Sequence, residues 1–466
     1  MSLSRSTKLG SLLKSTSHQP EAPAVSAEPD PAPKAAGEMD IDSSLRQLVE
    51  EARTIEATGL PEALIADLTL KILYLGGKKQ GGQIAQSLCL NFNGVVEAIL
   101  RGLKAQHLVE VKGGSSLHQA AYEYGITDKG SERAKELLER NGYIGPCPVS
   151  LKNYIQVIQT QVQRQVQVTV EDVREAMKGL ILLDNVLEYI GPAVNTRESI
   201  FIYGPPGNGK TSIARAIGVG LLPGIVMVPH AIFEDGQIIK VFDLEIHRPI
   251  DGDDQRSMST PLDKRWVQCH LPIVITGGEL TLADLDLSWN NTSRFYEAPP
   301  QIKANGGMLV VDDFGRQQMS PTDLLNRWIV PLEDKIDFLT FHTGKKFAVP
   351  FESLVVFSTN LDPRELVDEA FLRRISHKLK IDNPDEAQFR EIFRVMCQIR
   401  EVEFDADVYR YLVDTYYNKM DRPFRACHPR DLLKQMITFA KFLGESKILS
   451  VNLVDRAAHS YFADFL

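Results

Sequence analysis

The chain has 466 residues, of which 43% are hydrophobic and 24% charged, with a formal net charge of −9. That length suits roughly two to four domains, and the apolar and charged contents are those of a soluble globular protein. The acidic balance argues against a chain that coats nucleic acid through bulk charge, leaving room only for a local basic patch. Cys89, Cys147, Cys269, Cys397 and Cys427 show no C-x-x-C spacing, so they read as thiols in a reducing compartment and not as a disulfide framework or metal site. The N-terminus lacks an apolar signal segment, and no apolar run reaches the ~18 residues a membrane span needs. The expectation is a cytoplasmic protein without membrane insertion.

Residues 1–43 are read as a disordered tail and linker, because EAPAVSAEPDPAPKAAGE offers too little apolar surface to fold. Leu9, Leu12 and Leu13 ahead of it fit either a short docking segment or an unstructured tail. Residues 44–145 change character. Helical spacing runs through SLRQLVEEARTI, LIADLTLKILYL, QIAQSLCL and GVVEAILRGLKAQ, then HLVEVKG and AAYEYGIT alternate as strands around a polar Gly-Ser turn. TDKGSERAKELLER closes the segment with Thr127 as N-cap. This order of three helices, a hairpin and a helix resembles a winged-helix domain, a family that binds DNA in some proteins and protein partners in others. Between 46 and 145, twelve Lys and Arg offset twelve Asp and Glu, and the candidate recognition helix 93–106 offers only Arg101 and Lys104. DNA affinity rests largely on cationic contacts with phosphate, so a neutral domain favours a protein partner. Lys71, Lys78, Lys79, Arg101, Lys104 and Lys112 on one face would reverse that preference. Residues 146–180 read as a connector, Gln-rich at QVQRQVQVT and helical afterwards.

The most specific pattern is FIYGPPGNGKT at 201–211. An apolar strand feeds Gly204, Pro205, Pro206, Gly207, Asn208 and Gly209, whose backbone N–H groups can cradle phosphates. Lys210 supplies charge for the β- and γ-phosphates, Thr211 a hydroxyl for Mg²⁺, and Ser212 continues into a helix. A second apolar strand, MLVV, ends in Asp312 and Asp313, placing a carboxylate where a Mg²⁺ ligand belongs. A third, SLVVFSTN, ends in Asn360, able to orient a water. Arg373 and Arg374 follow, and Arg430 begins an amphipathic helix in a last helical stretch.

Over about residues 180–466 these elements, in this order, resemble the AAA+ ATPases. The resemblance implies an α/β P-loop core of αβα layers at 181–382 and a helical lid at 383–466. It makes Gly204 to Thr211 the Walker A loop, Asp312 and Asp313 Walker B, and Asn360 sensor 1. Arg373 or Arg374 would be an arginine finger reaching a neighbour's γ-phosphate in a ring or filament, and Arg430 sensor 2. ATP and Mg²⁺ would be the cofactors. Asp313 stands where the family usually has Glu, which implies slow or stimulated hydrolysis. The long span from Lys210 to Asp312 suggests added strands in IIKVFDLEI and LPIVITGGELTL, and DFLTFHTGKKFAVPF reads as a hairpin with Lys345 and Lys346 near its tip. That hairpin resembles the pre-sensor clade, which includes MoxR-like ATPases and sigma-54 activators. An oligomeric ATPase that remodels or assembles a protein complex through 1–145 is the leading expectation. A nucleic-acid-acting ATPase and a nucleotide-gated scaffold with slow hydrolysis are the alternatives.

Overall fold

The computed structural model describes residues 43–113, 119–162, 167–182, 184–222, 224–250, 261–366 and 372–462. The tail at 1–42, with Leu9, Leu12 and Leu13, most of the Gly-Ser turn after Lys112, and residues 163–166 of the Gln-rich stretch lie outside the described residues.

A five-stranded parallel sheet organises the half of the chain that carries the glycine-rich loop. Its strands are β1 (Ile200–Tyr203), β2 (Ile273–Thr276), β3 (Met308–Val311), β4 (Leu354–Thr359) and β5 (His377–Lys380), in the spatial order β2-β3-β4-β1-β5. Nearly unbroken apolar sequence makes β1 to β4, because a parallel sheet is covered on both faces, whereas the edge strand β5 reads HKLK. The two-residue period sends alternate side chains to opposite cores. Ile200, Ile202, Met308, Val310, Leu354 and Val356 pack with Ile190, Ile213 and Ile217. Phe201, Leu309, Val311, Val355 and Phe357 pack with Phe314, Leu324 and Trp328 on the other side. The fold is α/β with a P-loop core of αβα layers. Its lid is formed by helices Glu386–Ile399, Ala406–Val413, His428–Leu443 and Val451–Phe462 around a separate aromatic core that includes Phe389, Phe393, Tyr409 and Tyr417.

LPIVITGGELTL is not an added strand: Ile273–Thr276 is the edge strand β2 of the core sheet, and 277–282 hold no strand. The burial of β2 alternates, with Val274 and Thr276 buried and Ile273 and Ile275 less so, a pattern that sequence alone does not separate from an inserted strand. IIKVFDLEI contributes its first three residues to strand Gln237–Lys240, which pairs with Ala231–Glu234 in a second sheet that also takes in Val149–Ser150. Ile336–Thr340 and Lys346–Pro350 form the hairpin read from the sequence. Its inner residues Leu339, Phe341, Phe347 and Val349 bury against helix Leu151–Val162 and strand Ile225–Pro229.

Near the N-terminus, helices Glu62–Gly76, Gly81–Leu88 and Glu97–Ala105 pack on a three-stranded antiparallel sheet built from Lys79–Gln80, Val109–Gly113 and Glu123–Ile126. Helix Asp128–Arg140 follows, and the Thr127 hydroxyl accepts from the Gly130 N–H at 3.0 Å as its cap. This unit is not self-contained, because Ala231 and Ile238 of the second sheet lie in its apolar core.

Candidate functional site

The loop 204–209 leaves the C-terminal end of β1 and turns into helix α1 (Lys210–Ala216). Gly204, Gly207 and Gly209 hold φ values of 136°, 82° and 79°, a region that side chains disfavour. Close approach adds a second reason at two of them. A Cβ on Gly204 would lie 2.1 Å from the Ile381 carbonyl oxygen, and one on Gly207 would lie 2.6 Å from Cys427 Sγ.

Inside the loop, Lys210 Nζ donates to the carbonyls of Gly204 (2.8 Å) and Pro205 (2.9 Å) and to Asn360 Oδ1 (2.6 Å). The Asn360 amide in turn donates to Asp313 Oδ1 at 3.1 Å. Thr211 Oγ1 donates to Asp312 Oδ2 at 2.8 Å, and the Asp313 N–H donates to Asp312 Oδ1 at 3.1 Å. The ends of β1, β3 and β4 therefore bring Lys210, Thr211, Asp312, Asp313 and Asn360 into one hydrogen-bonded cluster. Burial pushes the Lys210 pKa down from the ordinary lysine value, and the charges of Asp312 and Asp313 partly offset it. An anionic phosphate at Nζ would favour the charged form further. Gln317, which no sequence pattern singles out, props the acids from behind: its Nε2 donates to the Asp312 carbonyl at 2.9 Å.

A hydroxyl and a carboxylate side by side are hard oxygen donors suited to Mg²⁺, which usually takes one or two protein ligands and completes its shell with phosphate and water. Among the described residues there is no cluster of three or more His, Cys, Asp or Glu that would hold a metal by itself. Thr211 and Asp312 fit a cation that arrives with a triphosphate, and Mg²⁺ there would neutralise charge on the transferred phosphoryl group.

The arginines divide. Arg374 Nε donates to Glu333 Oε1 at 2.6 Å, whereas Arg373 is exposed. Both precede β5, whose first residue, His377, lies opposite Ile200 at the start of β1. They therefore stand at the end of the sheet away from their own chain's loop, beside an open cavity of about 470 Å³ lined by Glu198, Lys335 and Ser376. Arg430 is half-exposed and its Nε donates to Asp431 Oδ1 at 2.9 Å. The lid arginine that stands against the loop is Arg425, whose Cδ would lie 3.5 Å from a Cβ on Gly207. Ser212 and Pro206 are exposed, and Pro205 is half-buried. Asn208 is buried and turned toward the lid. No local signal marks Arg425 or Asn383 in the sequence, because only the folded lid and the stretch that leads from β5 into it bring them to the loop. Lys345 pairs with Asp235 at 2.7 Å, and Lys346 is exposed.

Residues 385–460, the lid, match the family described as Domain of unknown function (DUF8689). None of the curated proteins matches the chain. Among solved structures, NtrX from Brucella abortus in complex with ATP is similar at 15% identity and a TM-score of 0.38, covering 78% of this chain and 75% of that one. The Thermotoga maritima RuvB Holliday junction branch migration motor is similar at 13% identity and a TM-score of 0.34, covering 60% and 69%. Both likenesses are too distant for any residue role to be taken from them. Among the described residues no helix is long and apolar enough to cross a membrane.

Proposed function

We propose that the protein is a Mg²⁺-dependent AAA+ ATPase that works as an oligomer and couples ATP hydrolysis to remodelling or assembly of a protein complex. The observation that carries this reading is the cluster of Lys210, Thr211, Asp312, Asp313 and Asn360 at the ends of three parallel strands. Phosphoryl transfer to water needs positioning and charge stabilisation more than covalent chemistry from the protein. Lys210 and the loop N–H groups would hold the phosphates, Thr211 and Asp312 the cation, and Asp313 with Asn360 the attacking water. Arg373, set away from its own loop, would act on a neighbour's nucleotide, which makes the active form a ring or filament.

Charge pairing in the N-terminal unit, which we read as a winged-helix-like domain, supports a protein partner over DNA. Arg101 pairs with Glu97 at 3.1 Å, and Lys112 pairs with Glu110. Lys71 is buried and donates to the carbonyls of Asn141 and Tyr143. Half of the six cations that could have formed a basic face are thus already engaged.

The test is steady-state ATP hydrolysis against protein concentration, with Lys210→Ala as control, with and without duplex DNA. Turnover that rises steeply with concentration, vanishes in the variant and ignores DNA is the expected result. DNA-stimulated turnover with salt-sensitive binding would move the assignment to a nucleic-acid-acting ATPase. ATP binding without turnover in any condition would leave a nucleotide-gated scaffold.

A further inference from the structure

Asn208 sits at the crest of the phosphate loop, beside the exposed Gly207, yet only 4% of its surface is accessible. A buried amide is costly unless its donor and acceptor are both met. Here both are met from outside the loop. Asn208 Nδ2 donates to Asn383 Oδ1 at 2.8 Å, and the Ala426 N–H donates to Asn208 Oδ1 at 3.1 Å. Next to it, the Cys427 N–H donates to the Gly207 carbonyl at 2.8 Å.

These partners come from two places. Asn383 lies in the short stretch that leaves β5 and runs to the first lid helix, and this stretch also carries Ile381, whose carbonyl crowds Gly204. Ala426 lies just before helix His428–Leu443. One side chain therefore joins the loop to the hinge and to the lid together. The apolar cores of the sheet and the lid are separate clusters, so the registry between them at this point is set by polar contacts.

We infer that Asn208 is a positioning residue that clasps the lid to the phosphate loop, so that a nucleotide held by the loop also fixes the lid and the Arg425 it carries. The inference rests on the ATPase reading above. Removing the amide would leave both cores intact while the lid loses its registry with the loop.

The experiment follows hydrogen exchange of amides 425–433 in the full chain with and without Mg²⁺-ATP. Affinity for a fluorescent ATP analogue, turnover and Tm are measured in parallel. In the wild type, ATP is expected to slow exchange at these amides about tenfold, within the usual range of coupling between sites. Asn208→Ala and Asn383→Leu should each remove most of that slowing and lower turnover about tenfold, with affinity changed no more than about threefold. Asn383→Asp, which keeps an acceptor for the Asn208 amide, should behave like the wild type, and the double variant should be no worse than either single one. Should the loop substitution impair folding, Asn383→Leu tests the same contact from the hinge side. Full ATP-dependent protection in both single variants would overturn the clasp alone. A wild type that binds no ATP would overturn the ATPase reading and the clasp with it.

Discussion

Lys210 and Asn360 are joined directly: the lysine ammonium donates to Oδ1 of an amide whose own N–H₂ donates to Asp313. The residue that would hold the γ-phosphate and the one that would orient water therefore share a single intermediary. Asn360→Ala removes that intermediary and leaves Lys210 with its two loop carbonyls. The expected outcome is turnover lowered about 10²-fold, as for loss of one preorganised donor, with ATP affinity little changed. Lys210→Ala should instead abolish both binding and turnover. Single-turnover hydrolysis and a nucleotide titration on the same preparations separate the two.

Asp313 holds φ of 48°, a left-handed conformation that Asp and Asn tolerate better than other side chains. Asp313→Asn keeps that tolerance and an acceptor for the Asn360 amide, but not the carboxylate. Thermal stability should stay near that of the wild type while turnover falls at least about 10²-fold, the usual worth of a positioned base. Asp313→Glu should lower stability by about 1 kcal/mol through the backbone. Its turnover reports whether the short acid restrains hydrolysis: a large gain marks Asp313 as a brake. Thermal unfolding and steady-state rates check both variants.

Arg373 and Arg374, adjacent in sequence, are expected to fail differently. Arg373→Ala should reduce concentration-dependent turnover about 10³-fold with ATP affinity unchanged, as for an arginine finger supplied in trans. Arg374→Ala breaks an ion pair with the half-exposed Glu333 and should cost no more than about 1 kcal/mol of stability. Mixing Arg373→Ala with Lys210→Ala is the decisive measurement, because complementary defects in neighbouring subunits restore turnover only if the finger acts across an interface.

The glycine-rich loop and the two strands that end in Asp312–Asp313 and in Asn360 are legible in the sequence because each is local: an apolar run that ends in the residues proposed to do the chemistry. The lid's approach to the loop is not. Arg430 is placed by its helix on a half-exposed surface, while Arg425 and Asn383 reach the loop only through the hinge after β5. No spacing rule records contacts such as Asn208 to Ala426, more than 200 residues apart. Strand β2 reads as an addition for a related reason. Its neighbour β3 follows a long insertion, so local alternation cannot say which sheet it joins.

His428 is 6% exposed, with Nδ1 3.0 Å from the Tyr417 hydroxyl and the Tyr461 and Phe462 rings edge-on. Burial first, then the Arg425 and Arg422 charges, hold its pKa down at about 4, against a smaller opposing effect of Asp431. The unfolded chain, with a His pKa near 6.5, binds the proton more readily between about pH 6.5 and 4. Stability should therefore be intact above that window and fall as pH drops through it, by about 3 kcal/mol in all. Urea midpoints measured from about pH 7 to about pH 4.5 should show this slope, and His428→Gln should flatten it.

Arg265 and Asp263 are 3% and 4% exposed and 2.7 Å apart. Arg265 Nη1 also donates to the carbonyls of Thr58, at 2.8 Å, and Pro148, at 3.2 Å. The guanidinium thus ties Thr58 of the N-terminal unit to Pro148, next to strand Val149–Ser150 of the second sheet, and Ala231 and Ile238 of that sheet enter the unit's core. Arg265→Ala would take the guanidinium from the Thr58 and Pro148 carbonyls and from the buried Asp263 carboxylate, which keeps the residue-265 N–H at 2.9 Å, an expected loss of about 3–5 kcal/mol. The N-terminal unit should melt with the second sheet in one transition, because Ala231 and Ile238 of that sheet complete its core. A fragment ending at 145 lacks Arg265, Ala231 and Ile238, and its amides should exchange faster than the same amides in the full chain. Equal protection in fragment and chain would show instead that the N-terminal unit is an independent adaptor. A partner bound there would then be uncoupled from the hairpin that leads into β4 and Asn360.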